Sequence, residues 1–287
     1  MAERECIGIG CATLSTILKA SGIVSKKTRR TSGEKRLHRA RLPLSGEPVQ
    51  TDAGLFDWFG IGEQFAPRGF QDDATGEILG LYMTENERLQ GCLEAFRPVL
   101  VNHGVPAALC ADRIGVCFVN NKKIETWTVE ERLAGKTLDK TQFGVITDEL
   151  GTELIPAGSP QAKGRVERLR QTLQDRLTVF FAMNNIKDVG SANAVLPRFA
   201  SEFNGRFGRR AKTTDETAFA PPPEKHGLDS LLCAKCERTT DNCNSFSFQF
   251  LGFTGKKQGS YLPETTKRLL FNCFFASVKS AAKADRG

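Results

Sequence analysis

Glu167 lies in Ser159-Pro-Gln-Ala-Lys-Gly-Arg-Val-Glu-Arg168, where one carboxylate stands among several cations. Lys163 precedes it by one helical turn, and Arg165, Arg168 and Arg170 flank it. A carboxylate that binds a divalent metal beside a polyanion needs this mixture. The anion holds the metal, and the bases hold phosphates. A solvated helix face would carry the same charges. One glutamate cannot hold a catalytic metal pair, so partners are required. Asp52 closes the apolar-leaning run Glu47 to Gly54, and Asp112 closes the run Val105 to Asp112. A strand that ends on Asp delivers a carboxylate to the sheet rim, where open α/β folds place their chemistry. Each aspartate taken singly also suits a turn or a cap. Asp72 and Asp73, ahead of Ala74-Thr-Gly76, read as a β-turn. Asp57 is ambiguous.

The elements that must position these residues follow from periodicity. Val166, Leu169, Leu173, Leu177 and Phe180 recur at helical spacing, which predicts a helix over about 162–183 with Glu167 at the margin of its apolar face. Strands are predicted at 49–59, 70–73, 78–83, 105–111 and 153–156, with a turn at Gly60 and Gly62. Helices are predicted at 86–102, where Pro98 should kink or divide the helix, and at 141–150 and 192–203. Residues 120–140 read as a loop or insertion in the catalytic face. Pro221-Pro-Pro223 reads as a boundary. Beyond it, Ser245 to Phe250 alternates at strand period, and the pattern fades after Gly252. Ahead of all this, Cys11 to Ala20 forms an amphipathic helix closed by Gly22.

Net charge is +7 over 287 residues, with pI near 9.0. A basic balance is compatible with nucleic acid and does not establish it. The charge is concentrated. Lys19, Lys26, Lys27, Arg29, Arg30, Lys35, Arg36, Arg39 and Arg41 stand against Glu34 in one block that reads as an extended arm. On a duplex it would neutralise phosphates without reading sequence; the plain alternative is a basic linker. Nine cysteines form no small-domain framework, the first residues do not read as a secretory leader, and no apolar run reaches the roughly 20 residues that span a bilayer. The reading is reduced thiols in a cytoplasm. Cys233-Ala-Lys-Cys236 lacks a second Cys-x-x-Cys, although His226 and Cys243 are nearby, so strand cysteines are preferred to a zinc site.

Six segments then occur in a recognisable order: Gln50-Thr-Asp52, Asp72-Asp-Ala-Thr-Gly76, Ala111-Asp-Arg113, Gln142-Phe-Gly144, Ala162-Lys-Gly-Arg-Val-Glu-Arg168 and Thr172-Leu-Gln-Asp-Arg-Leu177. Together they resemble the bacterial insertion-sequence transposases with an integrase catalytic core and an Asp-Asp-Glu triad, in particular the ISNCY group. The resemblance covers roughly Gly22 to Phe207. It implies an RNase H-like fold: a mixed five-stranded sheet flanked by helices, with a basic N-terminal arm and a small C-terminal β region. It carries Asp52, Asp112 and Glu167 onto the triad, as metal ligands and catalytic residues. The implied cofactor is a pair of Mg²⁺ (or Mn²⁺) ions, since hard oxygen ligands disfavour zinc. The implied reaction is cleavage at element ends followed by strand transfer into target DNA.

The expected organisation is a helix-turn-helix remnant plus arm at 1–45, a catalytic core at 46–210, and a linker and β-rich region at 211–287 whose tail reads as degenerate. Lys163, Arg165, Arg168, Arg29, Arg30, Arg39 and Arg41 are the expected contacts to double-stranded DNA. A cytoplasmic homo-oligomer, nucleoid-associated on DNA, is the implied state. Ala111 before Asp112 and Phe56 before Asp57 depart from the family pattern. A front that reads as truncated, the altered surroundings of Asp112 and the unmatched tail keep open an inactive remnant that at most binds DNA, and the triad chemistry would also permit an RNase H-like nuclease, since it ignores the sugar.

Overall fold

The computed structural model describes residues 8–23, 40–112, 115–118, 140–157, 160–213, 216–222, 225–239, 245–248, 251–254 and 268–273; of these, 160–165, 225, 226 and everything from 234 onward are described by backbone only. The chain divides into two compact units, Met1–His38 and Arg39–Gly287. In the first, helix α1 spans Cys11–Ala20 and buries none of its residues. Leu14, Ile17 and Leu18 lie exposed along it. Gly22, at φ +72°, ends it in the left-handed conformation that glycine accepts without steric cost.

The second unit is built on one sheet of five strands: β1 (Val49–Ala53), β2 (Ala66–Asp72), β3 (Ile78–Thr84), β4 (Ala108–Ala111) and β5 (Glu153–Pro156). Their spatial order is β3-β2-β1-β4-β5. β1 runs antiparallel to β2, and β2 to β3, while β1, β4 and β5 are mutually parallel. This is the mixed five-stranded sheet flanked by helices expected of an RNase H-like core. The parallel crossovers require helices, and these are α2 (Leu89–Asn102), between β3 and β4, and α3 (Gln142–Glu149), before β5. Thr141 caps α3 by accepting a hydrogen bond from the Gly144 amide. Helices α4 (Pro160–Met183) and α5 (Val189–Phe207) follow, with Asp188 capping α5 through the Ser191 amide.

Each face of the sheet carries its own core. One cluster gathers Val49, Phe70, Leu109, Phe96, Leu100, Phe143 and Ile146 from β1, β2, β4, α2 and α3. The other gathers Trp58, Leu81, Met83, Leu169, Leu173, Leu177, Phe181, Leu196 and Phe203 under α4 and α5. The expected helical stripe is therefore present with one correction. Phe181, not Phe180, closes it as a fully buried ring, and Phe180 is half-buried against Phe199. Positions three and four after Leu177 both approach the apolar face, and the packing of α5 selects the second. Pro98 leaves α2 continuous from Leu89 to Asn102.

β3 is an edge strand, and α5 closes its open side. Asn193 accepts from the Met83 amide at 2.7 Å and donates to the Met83 carbonyl at 2.9 Å. Asn204 does the same for Ile78, with both bonds at 2.8 Å. Two side-chain amides thus imitate a neighbouring strand where an open ladder would invite pairing. On the other side of β3, Gly80 lies against α2. A Cβ there would come within 2.0 Å of the Ala95 carbonyl oxygen, a backbone atom that cannot swing aside. Gly80→Ala is expected to destabilise by about 3 kcal/mol through overpacking, read as a lower midpoint in urea.

The first strand is shorter than its sequence pattern predicts. It leaves the sheet after Ala53 rather than continuing to Phe59. Phe56 instead pairs with Phe65, and the Trp58 indole donates to the Phe65 carbonyl at 2.9 Å. Asp57 accepts from the amides of Gly60, Ile61 and Gly62, so it shapes this loop. The Gly62 amide, with its neighbours, holds its carboxyl below the usual carboxylate range.

After α5 the chain returns to the first core. Thr217 bridges Ser45, and Ala220 bridges Val105. Helix α6 (Lys225–Leu231) brings Leu228 into the α2 side, with Leu232 just after it. Beyond lie two small antiparallel sheets, β6 (Ala234–Thr239) with β9 (Arg268–Cys273), and β7 (Ser245–Phe248) with β8 (Leu251–Thr254). β7 coincides with the alternating segment read from sequence, whereas β9 lies where the sequence pattern had faded. Residues 119–139, covering most of the expected insertion, lie outside the described residues.

Candidate active site

Asp52 is the fourth residue of β1, and Asp112 follows β4 directly. The two strands are parallel neighbours, so both aspartates reach the same C-terminal edge of the sheet. Gln50, two residues before Asp52 and on the same face of β1, docks α4 there. Its Oε1 accepts from the Val166 amide at 3.2 Å, and its Nε2 donates to Asp73 Oδ1 at 2.7 Å. Glu167 is the next residue on that helix. Asp52, Asp112 and Glu167 consequently line one open cleft of about 400 Å³. Thr51, Ala53, Val116, Gln171 and Gln174 contribute to its walls.

Asp52 is the most enclosed of the three, with its side chain 17% exposed and Arg170 Nη1 at 3.9 Å from its Oδ2. Arg170 lies over Gly54, where a Cβ would come within 2.9 Å of the guanidinium. Glycine at 54 leaves the room that this pair needs. Asp112 and Glu167 are exposed to the cleft.

Three further groups line the cleft that the sequence did not single out: Arg68, Glu87 and Cys117. Arg68 sits in β2 opposite Ala53, inside an otherwise buried strand. Its only sequence signal is a charge within a run of small and apolar residues. Burial pulls its pKa down, but the field of Cys92, Cys117, Glu87 and Asp52 outweighs burial and raises it. Beside it, the Cys92 thiol donates to Cys117. This bond lowers the Cys117 thiol despite its burial, with Arg68 assisting, while burial pushes Cys92 well up.

The expected DNA contacts fall into three groups. Arg168 is exposed on α4. Lys163 and Arg165 lie on the first turns of α4, where only the backbone is described, and Arg29, Arg30 and Arg39 lie outside the described residues. Arg41 is engaged within the fold. Its Nη1 donates to the carbonyls of Asp73 and Ala74 at 2.9 and 3.1 Å, at the opposite end of β1 from Asp52. It clasps the 72–76 turn, which has reason to attract it. Asp72 accepts from the Gly46 amide, the Ser45 hydroxyl and both the amide and hydroxyl of Thr75, and Asp73 accepts from the Leu42 amide. The paired aspartates therefore form a turn that also fastens residues 42–46. Cys233 is buried and donates to the Ser230 carbonyl.

Among the described residues, no group of three His, Cys, Asp or Glu stands arranged to hold one metal ion. The donor chemistry nevertheless suits a hard cation. Asp52, Asp112 and Glu167 all line one open cleft, and carboxylate oxygens are the donors that a hard divalent cation would take there.

The transposase for insertion sequence IS1202 of Streptococcus pneumoniae is 30% identical over 314 aligned positions, covering 97% of this chain and 64% of that protein. A protein of Sinorhizobium fredii named provisionally as transposase y4bF is 32% identical over 251 positions, covering 87% of this chain and 52% of that protein. The chain is a relative of insertion-sequence transposases. It spans between half and two thirds of the length of these curated relatives. No family model matches it. Two solved structures show a distant likeness. One is a chain of the simian T-cell lymphotropic virus intasome in complex with the PP2A regulatory subunit B56 gamma, with 17% identity, 75% and 74% of the two chains covered and a TM-score of 0.41. The other is the HTLV-2 integrase catalytic core domain in complex with magnesium, with 12% identity, 53% and 82% covered and a TM-score of 0.33. Among the described residues, no helix of this transposase relative is long and apolar enough to cross a membrane.

Proposed function

We propose that this chain carries the DNA-cutting and strand-joining activity of an insertion-sequence transposase. Asp52, Asp112 and Glu167 are its catalytic carboxylates and the ligands of Mg²⁺ (or Mn²⁺), and double-stranded DNA is the substrate. The observation that supports this most is the convergence of three acids, distant in sequence, at one sheet edge in a chain related to transposases. When bound, the metal supplies Lewis acidity at the phosphoryl group and a more acidic attacking water or hydroxyl. The chain's own part is to hold these acids at a rigid edge. Asp52 lies in the strand ladder, Asp112 follows β4 directly, and the Gln50 bond docks α4 at Val166, the residue before Glu167.

No protein nucleophile is required. Arg168, Lys163 and Arg165 are proposed as backbone-phosphate contacts beside Glu167, and Arg29, Arg30 and Arg39 as contacts from the arm. Arg41, which also clasps the 72–76 turn, is proposed with them. Homo-oligomerisation on the two element ends is part of the same proposal. The test is cleavage of a duplex carrying the terminal repeats that flank the coding sequence. Strand breaks are expected with Mg²⁺ or Mn²⁺ and none with chelator. Equal cleavage in both conditions would reject the metal-dependent reading.

A further inference from the structure

Arg68 is the most deeply buried cation lining this cleft. It is 8% exposed, and it lines the same cavity as Asp52, Asp112 and Glu167. Among the described residues its side chain makes no hydrogen bond and no close ion pair; its interactions there are electrostatic ones with Asp52, Glu87 and the Cys92–Cys117 pair. A largely buried guanidinium that lines an open cleft turns its donors toward whatever enters that cleft. Its base is rigid. Arg68 is locked between Ala53 of β1 and Tyr82 of β3 by strand pairing on both sides. The result is a fixed cation at the rim where the acids gather.

Resting on the transposase reading above, we propose that Arg68 is the phosphate-receiving residue of the cleft, its fork of N–H donors taking the non-bridging oxygens of the phosphodiester presented to Asp52 and Asp112. Planar, bidentate recognition of a phosphate is what a guanidinium does better than an ammonium. A donor held in place beforehand costs little reorganisation when charge builds on that phosphate. The carboxylates need this help. Without a cation on the sheet side, Asp52, Asp112, Glu167 and Glu87 would repel the incoming strand. Arg170 is partly engaged with Asp52, on the α4 side. Arg68 approaches from β2.

The alternative is that Arg68 merely neutralises Asp52 and Glu87 within the fold. Equilibrium binding of duplex DNA separates the two. It is read by fluorescence anisotropy with the Ca²⁺-loaded full chain across a salt series, beside Mn²⁺ affinity and thermal melting. Arg68→Met is expected to weaken DNA binding by roughly tenfold and to reduce the slope of log K against log salt by about one, as loss of one phosphate contact requires. Arg68→Lys keeps the charge and hence the slope, but loses the fork, and is expected to bind several-fold more weakly. It also covers the case in which Arg68→Met does not fold. An unchanged salt slope in Arg68→Met, or wild-type affinity in Arg68→Lys, overturns the assignment even if Mn²⁺ affinity shifts. Failure of the wild-type chain to bind duplex DNA at all would instead remove the transposase reading beneath it.

Discussion

Glu167→Gln is expected to lower the rate of metal-dependent DNA cleavage by on the order of 10³-fold or more while leaving the protein folded. The reason lies in where this side chain stands. Glu167 is exposed to the cleft on α4, and its buried neighbours Val166 and Leu169, not Glu167 itself, hold the helix to the sheet. Glutamine keeps the length and hydrogen-bonding reach but removes the negative charge that a hard divalent cation needs. Thermal melting of the variant should match the parent within a few degrees, because no internal contact is lost. Cleavage should be followed in single-turnover reactions, so that product release does not mask the chemical step. Asp52→Asn should be equally inactive, but with a stability change of its own, because Asp52 faces Arg170. A Glu167→Gln variant that cleaves as fast as the parent would remove Glu167 from the metal site.

Phe96→Ala should cost about 3–5 kcal/mol of folding stability, the range for deleting a buried aromatic ring. Domains of this kind are stable by only about 5–15 kcal/mol in total, so the loss is a large fraction. Phe96 is fully buried at the centre of the α2 side of the sheet. Its ring lies 5.2 Å from Phe70 and 5.6 Å from Phe143, and the contact with Phe143 is edge-on. It thus ties α2 both to β2 and to α3. Neighbouring side chains are themselves anchored in strands and helices, and they cannot collapse into the space. Chemical denaturation should show a lower midpoint with a nearly unchanged slope. Phe96→Leu should recover part of the loss.

The two tests address different layers, and the sequence speaks to them unequally. The stripe Val166, Leu169, Leu173 and Leu177 was legible because helical burial repeats at a fixed spacing. The strand that runs into Asp112 was legible because an apolar run that stops at a carboxylate marks a rim. The Asp72–Asp73 turn was legible from its Ala-Thr-Gly sequel. That Asp72 also fastens Ser45 and Gly46 was not, because those partners lie 26 or 27 residues away in the chain. Phe181 displaced Phe180 because two adjacent helical positions compete for one face, and α5 decides between them. The early end of β1 depended on the Phe56–Phe65 bridge and the Asp57 loop, which alternation along one strand does not reveal.

The sequence by itself determined the kinds of chemistry available. Acids at strand ends and a glutamate among cations are local patterns, and local patterns survive in a linear string. It likewise determined which helix faces are apolar. Only the tertiary structure decided which charges share a cleft. It joined Arg68 and Glu87 to the three acids, set Arg170 against Asp52, and withdrew Arg41 to the far end of β1. The physical reason is that these neighbours are made by strand pairing and helix docking between distant segments. Electrostatic interaction depends on the resulting separations and burial, and residue order along the chain does not specify those directly.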